Sequence, residues 1–548
     1  MPNDKTWEFH EYFDLDPNAV TMVVRDTRLE DVHPLERNEV IYFPYAFVKE
    51  YIDDTLFWDD DALTATITTR DKVLRLTADS TTYTENGEPK ELTQPFLYIE
   101  DKIYLPSDFL TRFYPISIAY DSAVKIAAMD YLNERRDMGM VAGRTANLRY
   151  KPDKKAFIEE RLDLGARMNV YQKEGDYARV RVESGLLGYL HLKDFIEMTP
   201  LGPDSEPAPV EFPSRKSVQG KINLVFDQVF SPADSAKPEK YIFQDGLDVL
   251  APTWFSFDIE TLNGDIISIA DSDYVRRAHD SGRQVWALLS DFSADAARVR
   301  NSDVNHAVLS RTRIRERVIA QIMDLISRYD LDGINIDFEY LQPEDAAYYS
   351  QFFRELAPYM RAKGKTLSVD VYNPVPEKYW SQYYNRRAVG ECVDYMIVMA
   401  YDEHTNGTES GPVASLPFVE AGIAQTLEEV PKDKVLLGLP YYARVWREEI
   451  IDGTLQNSLK NYDMQTGYEQ LADRGAQLTW DTGIGALYGE YAAVEDDKAV
   501  TYKVWLEDER SIEEKLKLLR KYDLAGAVGW KRGLEKAEIW GLLKRYLK

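Results

Sequence analysis

Nine consecutive residues, Asp332 to Tyr340, read DGINIDFEY. Three carboxylates and one amide stand in a segment whose other residues suit a buried strand. Buried carboxylates cost free energy unless they are paired or used. Alternate residues of a strand share a face, so Asn335, Asp337 and Glu339 form one set and Ile334, Ile336 and Phe338 the other. The segment itself contains no Lys or Arg, which makes a salt-bridged strand end the weaker reading. Neighbours on the polar face are about 6–7 Å apart along the strand. Like charges that close cannot both ionise freely, so one pKa should rise. A carboxyl group that keeps its proton near neutral pH suits general acid catalysis. Asp332 has the opposite parity from Glu339 and reads as architectural.

Something must hold this strand with its polar face towards a site. From about residue 218 to 548, short apolar runs alternate with helical segments: INLVFDQV, LDVLAPTWF, QVWALLS, GINIDFE, TLSVDVY, VDYMIVMAY, VLLGLPYY and GAVGWK. Near-continuous apolar strands separated by amphipathic helices imply a parallel sheet covered on its outer face. Eight of them predict a closed (β/α)8 barrel. A doubly wound open sheet is the alternative, but no Gly-rich phosphate loop follows the first run. Barrel sites lie at the C-terminal ends of the strands. That places Glu339 nearest the mouth.

At these residues the chain resembles glycoside hydrolase family 18, whose signature is Asp-Gly-x-Asp-x-Asp-x-Glu. Here it stands as Asp332-Gly333-Ile334-Asn335-Ile336-Asp337-Phe338-Glu339. VMAYDEH, with Tyr401 and Asp402, looks like the family's sixth-strand motif. GLPYYAR, ending at Arg444, looks like the seventh, and Trp530 lies in the last strand. VWLEDERS and GWKRGLE resemble a bacterial branch of spore-cortex and peptidoglycan N-acetylglucosaminidases. The resemblance implies a retaining mechanism in which the substrate's own 2-acetamido group is the nucleophile. Glu339 is then the general acid and base, and Asp337 orients the acetamido N–H and stabilises the oxazolinium ion. Tyr401 holds the acetamido carbonyl beside Asp402, and Trp530 stacks on the sugar. Arg444 reads equally as a substrate contact or a structural ion-pair partner, and Trp530 taken alone reads equally as core. Asn335, where the family has an acid, cannot titrate; its NH2 is expected to donate to ionised Asp337, which keeps activity but alters its pH profile. The implied substrate is peptidoglycan, with chitin or the N-glycan core as alternatives. A non-catalytic, lectin-like barrel is the reading from another class. No cofactor or metal is implied.

The upstream sequence predicts smaller units. Residues 1–37 read as an extension. Two segments beginning at Val40 and Lys102 match at a constant offset of 62, pairing Tyr42 with Tyr104, Pro44 with Pro106 and Phe47 with Phe109. Over 38–130 this repeat resembles the copper amine oxidase N-terminal-like domain, an α+β module, with a hairpin expected at Asn86-Gly87 and no His cluster to support copper. Short alternating strands over 138–198 resemble a bacterial SH3-like domain. The features are Asn147-Leu148-Arg149, Tyr177-Ala178-Arg179-Val180 and Gly188-Tyr189-Leu190; a wall-binding module and a passive β-barrel spacer are both open. Residues 199–217, with Pro200, Pro203, Pro207, Pro209 and Pro213, read as a linker.

The net charge of −27 disfavours nucleic acid and anionic membranes as partners. One cysteine, Cys392, excludes an intramolecular disulfide and reads as a small buried thiol. No apolar stretch of about 20 residues predicts a membrane span. The polar N-terminus is not a signal peptide. The resemblance implies an extracellular or envelope location with an export segment removed; a cytosolic location is the alternative.

Overall fold

The computed structural model describes residues 2–203, 210–291, 298–374 and 382–548. The chain divides into two compact units, Met1–Thr68 with Lys72–Glu211, and Thr69–Asp71 with Phe212–Lys548. Pro207 and Pro209 of the expected linker lie outside the described residues.

In the N-terminal unit the two repeat copies have the same local structure. Strands Val40–Pro44 and Lys102–Pro106 each run through proline into a short helix, Tyr45–Tyr51 and Ser107–Phe113. Their antiparallel pairing is reciprocal: Tyr42 opposes Pro106, Pro44 opposes Tyr104, and the equivalent residues Phe43 and Leu105 face each other. The repeat is therefore a local two-fold. Glu85 and Glu88 close the hairpin, and Asn86 and Gly87 both have positive φ, as a two-residue primed turn requires.

Residues 1–37 are not a separate extension. Thr21–Val24 pairs in parallel with the second repeat copy, Thr21 opposite Ile126 through Val24 opposite Met129. Met22, Val24, Ala127 and Met129 enter the core of the repeat. Val23, Ile126 and Ala128 enter a second core with Leu148, Val180 and Leu190 of the following seven-stranded sheet. Both faces of one sheet are thus buried, and the two modules read separately from sequence are one unit.

This unit holds a costly group. Glu159, on strand Ile158–Asp163, is 7% exposed, and among the described residues neither carboxylate oxygen has a hydrogen-bond partner. Burial, with the nearby charge of Glu160, pushes its pKa from the ordinary 4.5 up to about 9. The folded form therefore holds a proton that the unfolded chain releases. Stability from this group is complete below about pH 4.5 and is lost progressively as pH rises towards 9. At ~1.4 kcal/mol per unit this amounts to about 3 kcal/mol at pH 7. Glu159→Gln is expected to raise the unfolding midpoint of this unit at about pH 8 and to change it little at about pH 5. Urea melts at the two pH values measure this; equal effects at both exclude it.

In the second unit, eight parallel strands close a barrel: β1 (Ile222–Asp227), β2 (Val249–Pro252), β3 (Gln284–Ser290), β4 (Gly333–Asp337), β5 (Thr366–Tyr372), β6 (Tyr395–Met399), β7 (Val435–Pro440) and β8 (Gly526–Trp530). Each pairs with the next, and β8 returns to β1. Closure excludes the open doubly wound sheet. The interior is packed by residues of one parity, among them Leu224, Phe226, Trp286, Leu288 and Ile397. The opposite parity, including Ile334, Ile336 and Phe338, packs against the surrounding helices. Gly333 is where β4 crowds β5: a Cβ there would lie 2.6 Å from the Thr366 carbonyl oxygen. Asp332 is an anchor, accepting the Val285 N–H at 2.9 Å and pairing with Lys216 at 2.5 Å.

Between β7 and β8 the chain builds a five-stranded antiparallel sheet from residues 442–506. Its first hairpin, Tyr442–Ile451 with Thr454–Asp463, turns at Asp452-Gly453. Among the described residues no helix is long and apolar enough to cross a membrane.

Candidate active site

Strand β4 ends at Asp337, and Glu339 follows at the C-terminal mouth of the barrel. A cavity of about 110 Å³ opens there. Asp337 and Glu339 form one wall, Asp370 and Tyr372 of β5 the next, then Tyr401 and Asp402 after β6, with Trp530 at the end of β8. A second cavity of about 340 Å³ shares Asp402 and Trp530 and continues along Tyr442, Arg444 and Asn461 of the inserted sheet. The site is therefore a groove passing Trp530, not an isolated hole. The indole packs edge-on against Phe226, ring centroids 5.3 Å apart, which fixes its plane.

Glu339 is held from β5 and the loop beyond it. The Tyr372 hydroxyl donates to the Glu339 carboxylate, and the Tyr383 hydroxyl donates to the Glu339 backbone oxygen at 3.3 Å. Asp291, at the end of β3, accepts the Tyr340 N–H at 2.8 Å and an amide N–H of Asn305. It thereby secures the residue after Glu339 from the other side. Burial pushes the Asp291 carboxyl up to about 6.

Asp337 is buried, and among the described residues its Oδ1 has no hydrogen-bond partner. Its pKa lies well above the ordinary carboxylate range, first because of burial and then because of the charges of Glu339, Asp370 and Asp291. Asn335 is not in the cavity wall. It is fully buried, and its amide donates to Ser368 Oγ at 3.1 Å and Asp370 Oδ1 at 3.0 Å, both on β5. The expected donation to Asp337, and the placement of Asn335 as a substrate contact, are both corrected. The physical reason is register: Asn335 lies opposite Ser368 in the parallel ladder, so its side chain meets β5 first.

Tyr401 is buried at the cavity, and burial followed by the Asp370 charge pushes its hydroxyl pKa up. Asp402 adopts a left-handed backbone conformation, φ 62°, and is about half exposed. Arg444 pairs with Asp402 at 2.5 Å and donates to Asn461 Oδ1 at 3.1 Å and to the His404 carbonyl. The Tyr442 hydroxyl also donates to Asp402. Arg444 thus borders the second cavity with its N–H groups engaged, and its visible task is to aim Asp402.

Residues 301–535 match the model of glycosyl hydrolases family 18. The barrel carries a family 18 domain. Residues 23–127 match the copper amine oxidase N-terminal domain. Among curated proteins, the chain is 29% identical over 231 residues to the putative sporulation-specific glycosylase YdhD of Bacillus subtilis, covering 42% of this chain and 54% of that protein. It is 26% identical over 246 residues to the cortical fragment-lytic enzyme of the same organism, covering 44% and 56%. The chain thus spans about half the length of these two relatives. The family 18 barrel has the fold of a chitinase from Chromobacterium violaceum, with a TM-score of 0.53 and 23% identity over 60% of this chain and 99% of that one. The Bacillus cereus spore cortex-lytic enzyme SleL gives 0.53 and 18% over 64% and 79%.

Asp291, Asp370 and Tyr372 were not singled out from sequence. The two β5 residues carried a signal: TLSVDVY has a lone carboxylate in an apolar strand, on the parity that also carries Ser368 and Tyr372.

Proposed function

We propose that this chain is a glycosidase that cleaves β-1,4 bonds next to N-acetylglucosamine, with retention, using the substrate's acetamido oxygen as nucleophile, and that its substrate is bacterial peptidoglycan. The observation that carries this reading is the placement of Asp337 and Glu339. They project from one wall of one cavity, two residues apart, and Tyr401 and Trp530 line the same cavity. A carboxylate nucleophile has to reach the face of the sugar ring opposite the leaving group. Asp337 lies on the same wall as the acid and is suited instead to hold the acetamido group. With Trp530 under the ring, Glu339 protonates the leaving oxygen and then activates water. Asp337, once ionised, accepts the acetamido N–H and faces the positive oxazolinium ion. Tyr401 donates to the acetamido carbonyl, and Asp402, aimed by Arg444 and Tyr442, borders both cavities.

The family model supports a glycosidase, and relatives described as a sporulation-specific glycosylase and a cortical fragment-lytic enzyme support a wall substrate. In this reading the protein acts at the cell envelope, with the N-terminal unit as a wall-binding element, and needs no metal or cofactor. Retention of Glu339 argues against a lectin-like barrel.

The test compares purified peptidoglycan, chitin oligomers and a high-mannose glycoprotein, following new reducing ends. Release from peptidoglycan, at a rate at least about tenfold above the other two, is expected. Faster release from chitin or glycoprotein overturns the substrate, and no release from any of the three overturns the activity.

A further inference from the structure

The cavity contains a carboxylate for which the mechanism above has no use. Asp370 is 1% exposed, lines the wall adjoining that of Asp337, and sits beside it across the β4–β5 ladder, one residue beyond the Ile336–Val369 pair. Neighbouring strands are about 4.8 Å apart, so the two side chains, on one face, are within direct electrostatic reach. Asn335 donates to Asp370 Oδ1. Among the described residues, no donor reaches Asp337 Oδ1. An N–H donor favours the ionised form of the carboxylate that receives it. The pair is therefore asymmetric: the negative charge belongs on Asp370 and the proton on Asp337.

We propose that Asp370, held by Asn335, is a positioning residue of the site: its charge keeps Asp337 protonated in the empty cavity and so sets the acid edge of activity. This rests on the glycosidase reading for its consequence in turnover, though not for its chemistry. For Asp337 to accept the acetamido N–H, its O–H bond must break and the proton pass to water. A neighbouring buried charge makes that release harder. Both carboxyls lie above the ordinary range, burial being the first cause for each. Among the described residues, the other titratable groups facing the pair are Glu339, Asp291, Tyr349, Tyr372 and Tyr401. None is a cation, and burial holds the three tyrosines neutral. Among the described residues, neither Asp337 nor Asp370 has an ion-pair partner.

The test uses the isosteric Asp370→Asn variant in two measurements. In the first, both the Glu339→Gln protein and the Glu339→Gln/Asp370→Asn protein are titrated by infrared difference spectroscopy, reading the C=O band of protonated carboxyl groups. The band assigned to Asp337 is expected to disappear about one pH unit or more lower when Asp370 is replaced. This measurement needs no turnover, so it holds even if the chain hydrolyses nothing. In the second, the pH profile of kcat/KM is recorded on a fluorogenic N-acetylglucosamine oligomer. Where the parent chain has fallen to about a tenth of its plateau, Asp370→Asn is expected to keep about half of its own plateau or more. The swap Asn335→Asp/Asp370→Asn returns a carboxyl to the neighbourhood of Asp337 and should move the acid limb back. An unshifted band overturns the inference. Inactivity of the parent chain overturns the glycosidase reading alone. A merely structural Asp370 would lower the plateau and leave both pH positions unchanged.

Discussion

Replacing Glu339 with glutamine is expected to lower kcat on a natural N-acetylglucosamine oligomer by roughly 10²–10⁴-fold while KM changes little. The amide keeps the volume and one acceptor oxygen, so the Tyr372 hydroxyl retains an acceptor and the cavity wall keeps its shape. What is lost is the proton. Without it the leaving alkoxide departs unprotonated, and in the second half-reaction no base removes a proton from water. The two steps fail to different degrees when the leaving group is changed. A phenol-type leaving group needs little protonation, so the variant should recover much of the first step on a fluorogenic substrate and remain slow in the second. Single-turnover release of the fluorophore beside steady-state release of sugar separates them. Turnover on the natural oligomer within about tenfold of the parent chain would remove Glu339 from the role of acid.

The sequence carried this far because strand parity is a local property. Ile334, Ile336 and Phe338 go to the helix layer, so Asp337 and Glu339 must face the mouth, and eight apolar runs are enough to close the barrel. What escaped depends on neighbours distant in sequence. Asn335 meets Ser368 and Asp370 because of a register that no single strand specifies. Asp291 gains its task from Tyr340, 49 residues away in the chain. The inserted sheet carries a strong hairpin signal, Asp452-Gly453, which was not singled out from sequence. At the other end, Thr21–Val24 is only four residues long. Its role as a wall between two cores follows from pairing with Ile126–Tyr131, a contact across a hundred residues that periodicity does not reveal.

The helices behind β4 depend on a buried ion pair whose loss should be as costly to the fold as Glu339→Gln is to turnover. Arg315, on helix Thr312–Arg328, and Glu355, on helix Ala346–Ala362, are both fully buried. Arg315 Nε and Nη2 donate to Glu355 Oε1 at 3.1 and 3.0 Å, Nη1 to the Leu309 carbonyl at 2.6 Å and Nη2 to Thr312 Oγ1 at 2.9 Å. Gln351 adds a further donor to the same carboxylate oxygen at 2.9 Å. The guanidinium therefore joins two helices and the carbonyl end of a third, Arg298–Ser310. The Glu355 helix also presents Tyr349 and Phe352 to Phe338, ring centroids 6.4 and 5.8 Å away, so it backs the strand that carries the acid. Arg315→Met keeps most of the volume but leaves a buried carboxylate without its cation, at an expected cost of about 3–5 kcal/mol. Replacing both partners, Arg315→Met/Glu355→Leu, removes the stranded charge and should recover most of that loss. Urea unfolding of the three proteins measures the difference. Equal destabilisation by the single and double variants would mean that the guanidinium's bonds to the Leu309 carbonyl and Thr312, rather than its pairing with Glu355, hold these helices together.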